Sequence, residues 1–122
     1  MEIKERMYVR TKDGRIGKVV DVFSMIMDVD LDQKEKRYVL DSSNVYCYCE
    51  EDIKKSSHNI MDLIEIGDYV NGEKVMLNND GNIKIGTTRD NIVFNNEKFI
   101  KTIVTKEQFE SMSYKVGEVC IG

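Results

Sequence analysis

A single histidine, no tryptophan and no proline mark this chain of 122 residues, and each shortage removes a class of function or constrains the fold. Most side-chain proton transfer uses a base that titrates near the working pH, and only His58 is of that kind. Its neighbours Ser56 and Ser57 are too close in sequence to serve as its nucleophile, and Ser-Ser-His-Asn before an apolar turn reads as a helix cap. An enzyme that depends on His58 is therefore the least favoured reading, and no catalytic residue is expected. Without proline, nothing in the sequence forces a strand to a sheet edge.

Cysteine is scarce and odd in number. Cys47 and Cys49 lie two apart, so on a strand they share a face without the geometry of a natural disulfide, and a reducing cytosol fits. With no second Cys/His pair, even His58 and Cys120 leave the ligands scattered, so buried small hydrophobes are expected and no metal. Asp28-Val29-Asp30-Leu31-Asp32 begins like a calcium loop but lacks the glycine and the bidentate glutamate, and reads as a solvated strand face. Neither GxxxxGK[ST] nor GxGxxG occurs, and Ile83 and Ile85 alternate within Gly81–Thr88 as a strand would, which disfavours a phosphate loop and any cofactor.

No apolar run approaches the roughly 18 residues of a membrane span, and the opening Met1–Arg6 lacks the apolar stretch of a signal peptide, so a cytoplasmic protein without a membrane partner is expected. The net charge of −4 is uneven: residues 1–20 hold six Lys/Arg against three Asp/Glu, and residues 21–70 hold five against twelve. Only the first twenty residues approach the cation density that binds duplex nucleic acid, so no nucleic-acid polymer is expected.

What is present is β structure. Short runs of Val, Ile, Tyr and Phe alternate with turn dipeptides at antiparallel spacing. Asp13-Gly14 turns between Met7–Thr11 and 15–22, Asn71-Gly72 between 68–70 and 74–77, and Asp80-Gly81 and Asn95-Asn96 mark two further reversals. Further strands are expected at Met25–Val29, Arg37–Leu40 and Val45–Cys49. Thr105-Lys106-Glu107-Gln108 forms a capping box for a short helix to about Met112, and a brief turn from Ser57 or Asn59 carries Ile60, Leu63 and Ile64 inward. The expectation is a mainly β fold, α+β in minor degree: an antiparallel sheet of SH3-like barrel type with one or two short helices. It forms one ligand-binding domain over 1–122, in which 1–52 and 65–122 read as two β-rich halves or merely as similar hairpins.

Gly86-Thr87-Thr88-Arg89-Asp90-Asn91 breaks the strand pattern before Ile92-Val93-Phe94. Hydroxyls at Thr87 and Thr88 and the amide of Asn91 suit a ribose, Arg89 suits a phosphate, and Phe94 offers a stacking face to a base. The competing reading is a polar surface loop with Phe94 in the core. A second patch, Arg10, Lys12, Arg15 and Lys18, would place several cations on one sheet face, with solvation as the default. Phe23, Met25 and Met27 are expected to fill the core rather than line a pocket.

Met7–Val19 and Lys55–Gly72 resemble small proteins of phages and prophages of Gram-positive bacteria, and the length and layout are most similar to the Thoeris anti-defence protein 1 family. That resemblance implies a protein without enzymatic activity, a sponge that sequesters glycocyclic ADP-ribose made by a TIR-domain defence protein, and possible binding of other cyclic nucleotides. It also implies a homo-oligomer, a dimer or higher, with ligand pockets between subunits. Family members hold the ligand with aromatic, Asn and Arg side chains, for which Arg89, Asn91 and Phe94 are the choice by chemistry. The alternative is a small SH3-like phage module that docks on a host or phage protein.

Overall fold

Three short turns set the architecture. Asn71 and Gly72 have φ of 52° and 81°, and Asp80 and Gly81 have 50° and 87°. Paired left-handed values are those of a two-residue hairpin turn whose twist matches its strands, and Asn, Asp and Gly reach them with least strain. In the computed structural model, which describes residues 2–28, 30, 33–41, 47–87, 89–113 and 116, these turns and the one at Asp13-Gly14 organise two open antiparallel sheets.

The first sheet contains β1 (Tyr8–Thr11), β2 (Ile16–Asp28), β3 (Gln33–Leu40), β4 (Tyr48–Cys49) and β5 (Ile53–Ser57), in the order β4-β3-β2-β1-β5. The second contains β6 (Tyr69–Val70), β7 (Glu73–Asn79), β8 (Asn82–Gly86), β9 (Asn91–Phe94) and β10 (Ile103–Val104), in the order β10-β6-β7-β8-β9. One short helix, α1 (Lys106–Met112), follows. The mainly antiparallel β class is as expected. Barrel closure is not: among the described residues neither sheet pairs its two edge strands with each other.

Each sheet has its own apolar cluster. Ile3, Val9, Val19, Tyr38, Leu40, Tyr48 and Ile53 are buried together beneath the first, and Met61, Ile64, Val70, Val75, Ile83, Ile85 and Phe94 beneath the second. A register shift between Val19 and Asp21 decides which side chains of β2 join the first cluster. Strict alternation from Val19 would turn Phe23 and Met25 inward, but the irregularity moves the inward position to Val22, opposite buried Tyr38. Phe23 and Met25 therefore pair with Arg37 and Glu35 on the outer face, contrary to the expected core role. The side chain of Met27 lies outside the description. Cys47 and Cys49 are free thiols, and both are half-buried rather than buried as expected.

Of the expected strand Met25–Val29, residues 25–28 belong to the thirteen-residue β2, and of that at Val45–Cys49, Tyr48 and Cys49 form β4; Val29, Val45 and Tyr46 lie outside the described residues. Asn95-Asn96 does not turn neighbouring strands. Without a glycine in second place, the Asn96 side chain instead accepts from the amide of Lys98 at 2.9 Å and caps a 3-10 turn at Glu97–Phe99. The chain then crosses to the far edge, where Ile103 pairs with Val70.

The two predicted caps form. Thr105 accepts from the amide of Gln108 at 3.2 Å, while the Gln108 side chain accepts from the amide of Thr105 at 3.2 Å. Asn59 accepts from the amide of Met61 at 3.0 Å and opens a 3-10 turn, Ile60–Leu63, that buries Leu63 and Ile64 and half-buries Ile60. No helix among the described residues is long and apolar enough to cross a membrane.

Candidate functional site

The break after β8 builds a small pocket. Gly86, at φ 99°, ends the strand in a conformation that L side chains rarely adopt, and a Cβ there would run into the carbonyl of Asp90. The amide of Thr87 then donates to Asp90 O at 2.9 Å, and the amide of Asp90 donates to the Thr87 hydroxyl at 3.0 Å. This tight reversal starts β9 with Gly86 opposite Asn91 and Ile85 opposite Ile92. An open pocket of about 290 Å³ results, lined by Glu73, Ile85, Gly86, Arg89, Asp90, Asn91 and Ile92. Ile85 and Ile92 share one face of the sheet, so the pocket has an apolar side, with charged groups around it.

Of the residues singled out from the sequence, Arg89 and Asn91 meet at this pocket. Thr87 serves the turn with its hydroxyl, and Thr88 lies outside the described residues. Phe94 is not a stacking platform for a ligand. It pairs with Ile83 in the register, is 8% exposed, and stacks on Phe99 with ring centroids 4.6 Å apart. Two-residue alternation from Ile92 turns it to the buried face. Arg89 is exposed and makes no ion pair with a described residue, and Glu73 and Asp90 line the same pocket.

The densest polar cluster lies elsewhere, around Arg10. Instead of joining a cationic face with Lys12, Arg15 and Lys18, its side chain is fully buried. Both faces of β1 are covered, one by the first apolar cluster and the other by the chain around Leu63–Asp68 and the start of α1. One guanidinium nitrogen donates to Leu63 O at 3.0 Å and Asp68 Oδ2 at 2.5 Å; the other donates to Asp68 Oδ1 at 2.9 Å and Glu107 Oε2 at 2.7 Å. Burial works against the charge, but Asp68, Glu65 and Glu107 outweigh it and raise the Arg10 pKa.

Glu65 continues the cluster. Burial alone would raise its pKa, but Lys106, Lys54 and Lys55, with the charge of Arg10, hold it at about 2. Its Oε2 has no aligned hydrogen bond, although Lys55 Nζ is 3.1 Å and Arg10 Nε 3.6 Å away; hydrogen bonding to the three lysines lowers the pKa most, and the charge of Arg10 adds to it. Asp68 also accepts from the amides of Glu65 at 2.7 Å and Lys106 at 2.9 Å. The bidentate pair and the extra acceptors occupy the Arg10 terminal nitrogens, so the cluster joins the two sheets and α1 rather than presenting donors to a ligand. The sequence separations of 58 and 97 residues leave no local pattern by which to find it.

The remaining candidates are structural or exposed. Ser57 donates to Asp62 at 2.6 Å and accepts from the amide of Asn59 at 3.0 Å, the expected capping role, and His58 is exposed beside it. Glu35, Cys49 and Glu51 bring possible metal-ligand atoms within 4.8 Å of one another. The Arg37 guanidinium also contacts Cys49 Sγ, and burial followed by a hydrogen bond to Glu35 pushes the thiol pKa up. A cation on the sulfur and a thiol that resists ionisation both oppose a metal there.

No family, no curated protein and no solved structure matches the chain.

Proposed function

We propose that this chain is a non-catalytic binding protein of the host cytoplasm, and that it sequesters a cyclic ADP-ribose isomer at the pocket between the end of β8 and the start of β9. The observation that carries the reading is the meeting of Arg89 and Asn91 beside Ile85 and Ile92. Arg89 supplies a forked donor for one phosphate. Asn91, Glu73 and Asp90 supply groups that bond ribose hydroxyls, and Ile92, which is exposed, offers an apolar surface to a base. The resemblance to the sponge family motivates the choice of ligand among molecules of this chemistry.

Size argues that one chain supplies only part of the enclosure. About 290 Å³ lies at the bottom of the usual range of roughly 300–1,000 Å³ for ligand pockets, and this pocket is open. A sponge working at nanomolar to micromolar ligand needs about 8–12 kcal/mol. One charge-assisted hydrogen bond gives about 1.5–3 kcal/mol, before the cost of immobilising the ligand. A second copy closing the pocket supplies the missing contacts.

Calorimetry with glycocyclic ADP-ribose tests the reading: binding is expected, with the intact ligand recovered after heating the complex. Arg89→Ala should weaken binding by about 1.5–3 kcal/mol with the fold unchanged. Absence of binding heat across a panel of cyclic nucleotides, or turnover of the ligand, would refute the proposal.

A further inference from the structure

Asn71 does more than turn the chain between β6 and β7. Its main-chain amide donates to Thr102 O at 2.9 Å, and its side-chain Oδ1 accepts from the amides of Lys101 at 2.7 Å and Thr102 at 3.1 Å. Its Nδ2 donates to Phe99 O at 2.9 Å. Two donors against one end of the carboxamide and a carbonyl against the other fix which end is oxygen. The segment so gripped carries the chain from the 3-10 turn to β10, which adds only two register pairs of its own, Ile103 with Val70 and Val104 with Tyr69. One half-buried side chain is thus a main attachment of the crossing.

The same side chain stands in the sequence context where an asparagine most readily loses its amide. Asparagine is a chemically labile residue, and the loss requires the amide nitrogen of the next residue to reach the side-chain carbonyl carbon. Glycine, with no Cβ and a wide choice of backbone angles, hinders that approach least. Of the nine asparagines only Asn71 precedes a glycine. A Cβ built on Gly72 would meet nothing within 4 Å, so the turn is uncrowded.

We infer that Asn71 is a site of spontaneous deamidation, and that it is coupled to the docking of 99–104 in both directions. While the segment is docked, the hydrogen bonds hold the carboxamide to it; when the segment lifts, the carboxamide is free to meet the Gly72 nitrogen. That nitrogen then bonds to Asn71 Cγ, the Cγ–Nδ2 bond breaks, and ammonia leaves with the proton given up by the Gly72 amide. Water opens the resulting five-membered imide at either carbonyl, leaving aspartate or isoaspartate. Aspartate puts a second acceptor where Nδ2 stood, facing the Phe99 carbonyl with no proton between them. Isoaspartate also adds a methylene to the main chain inside a two-residue turn that sets the pairing of Tyr69 with Lys74 and Val70 with Glu73. Both products favour the released segment, so each copy passes once, without return, from docked to released β10. A two-residue strand at a sheet edge is the kind of element that opens locally, well below the free energy of global unfolding.

Peptide mapping by mass spectrometry of the native chain, aged at mildly alkaline pH, should show the amide-to-acid mass gain at 71–72 before any other asparagine. An isoaspartate-specific methyltransferase should label that peptide. The rate should rise by about tenfold or more in urea-unfolded chain, as a required opening step implies. Asn71→Asp, which has no amide to lose, should show faster amide exchange than the native chain at 101–104 and unchanged exchange across β2 and β3. The deamidated fraction of the aged native chain, separated by its extra negative charge, should show the same pattern and needs no variant to fold.

Amide loss spread evenly over the asparagines, none at Asn71 in the native chain, or equal rates in native and unfolded chain would each overturn the inference. Native-like protection of 101–104 in the deamidated fraction would overturn it as well.

Discussion

Replacing Arg10 with methionine should be among the most destabilising single changes in the molecule, and its size follows from what would remain. Asp68 is fully buried like Arg10 itself, so removing the guanidinium leaves a carboxylate without its counter-charge. Breaking such a buried pair from one side costs about 3–5 kcal/mol. The amides of Glu65 and Lys106 would still donate to Asp68, and Glu107, which is partly exposed, can turn to water. These place the loss toward the lower end, about 3 kcal/mol, still a large share of the 5–15 kcal/mol typical of whole domains. Urea unfolding at neutral pH should show a lower midpoint with an unchanged slope.

Asp68→Asn in the Arg10→Met background removes the stranded charge and keeps one acceptor, so the double variant should be less damaged than the sum of the singles, with a coupling of about 1–3 kcal/mol. Salt should scarcely change these differences, because the pair is withdrawn from solvent. A loss below about 1 kcal/mol for Arg10→Met, or simple additivity with Asp68→Asn, would refute the assignment of the cluster as the joint between the sheets.

Two further outcomes follow from the same region. Glu65 has its pKa lowered from 4.5 to about 2 in the folded chain, so in that interval the unfolded chain binds more protons and stability rises with pH. The contribution is complete above the unfolded value and is lost as pH falls through the folded one; urea midpoints should follow this, and Glu65→Gln should flatten part of the slope, whereas an unchanged slope would contradict it. Gly14 has φ 92°, and a Cβ there would lie 2.5 Å from Thr105 Oγ1 and 2.7 Å from Glu107 Cβ. Gly14→Ala should cost about 1–3 kcal/mol and release α1, seen as faster amide exchange across 106–112, and native-like protection there would count against tight docking.

The parts of this fold that were legible in the sequence are those decided within a few residues. Asn71-Gly72 and Asp80-Gly81 adopt the left-handed turns their residues favour, and Thr105 with Gln108 closes its capping box. One irregularity between Val19 and Asp21 was enough to reverse the expected facing of Phe23 and Met25, because a slip of one residue exchanges the two sides of a strand. Arg10 was misplaced for a different reason. Its carboxylate partners lie far away along the chain, so composition and alternation around Tyr8–Thr11 carried no trace of the burial. At the candidate pocket, Arg89 and Asn91 stand out in the sequence because glycine and polar side chains interrupt a strand there, and both line the pocket. Phe94 was assigned to the wrong one of its two weighed roles, since nothing local distinguishes an inward aromatic from an outward one.

The Arg10 cluster also bears on how the molecule is made. A ribosome releases β1 early, with a cation committed to the interior of the finished protein, while Asp68 is still to be translated and Glu107 comes later still. Until those acids emerge, the guanidinium keeps its hydration and that side of β1 stays wet. The N-terminal sheet is thus held short of its final packing until α1 has left the tunnel, and the maturation of β1 waits on an acid 97 residues further along the chain.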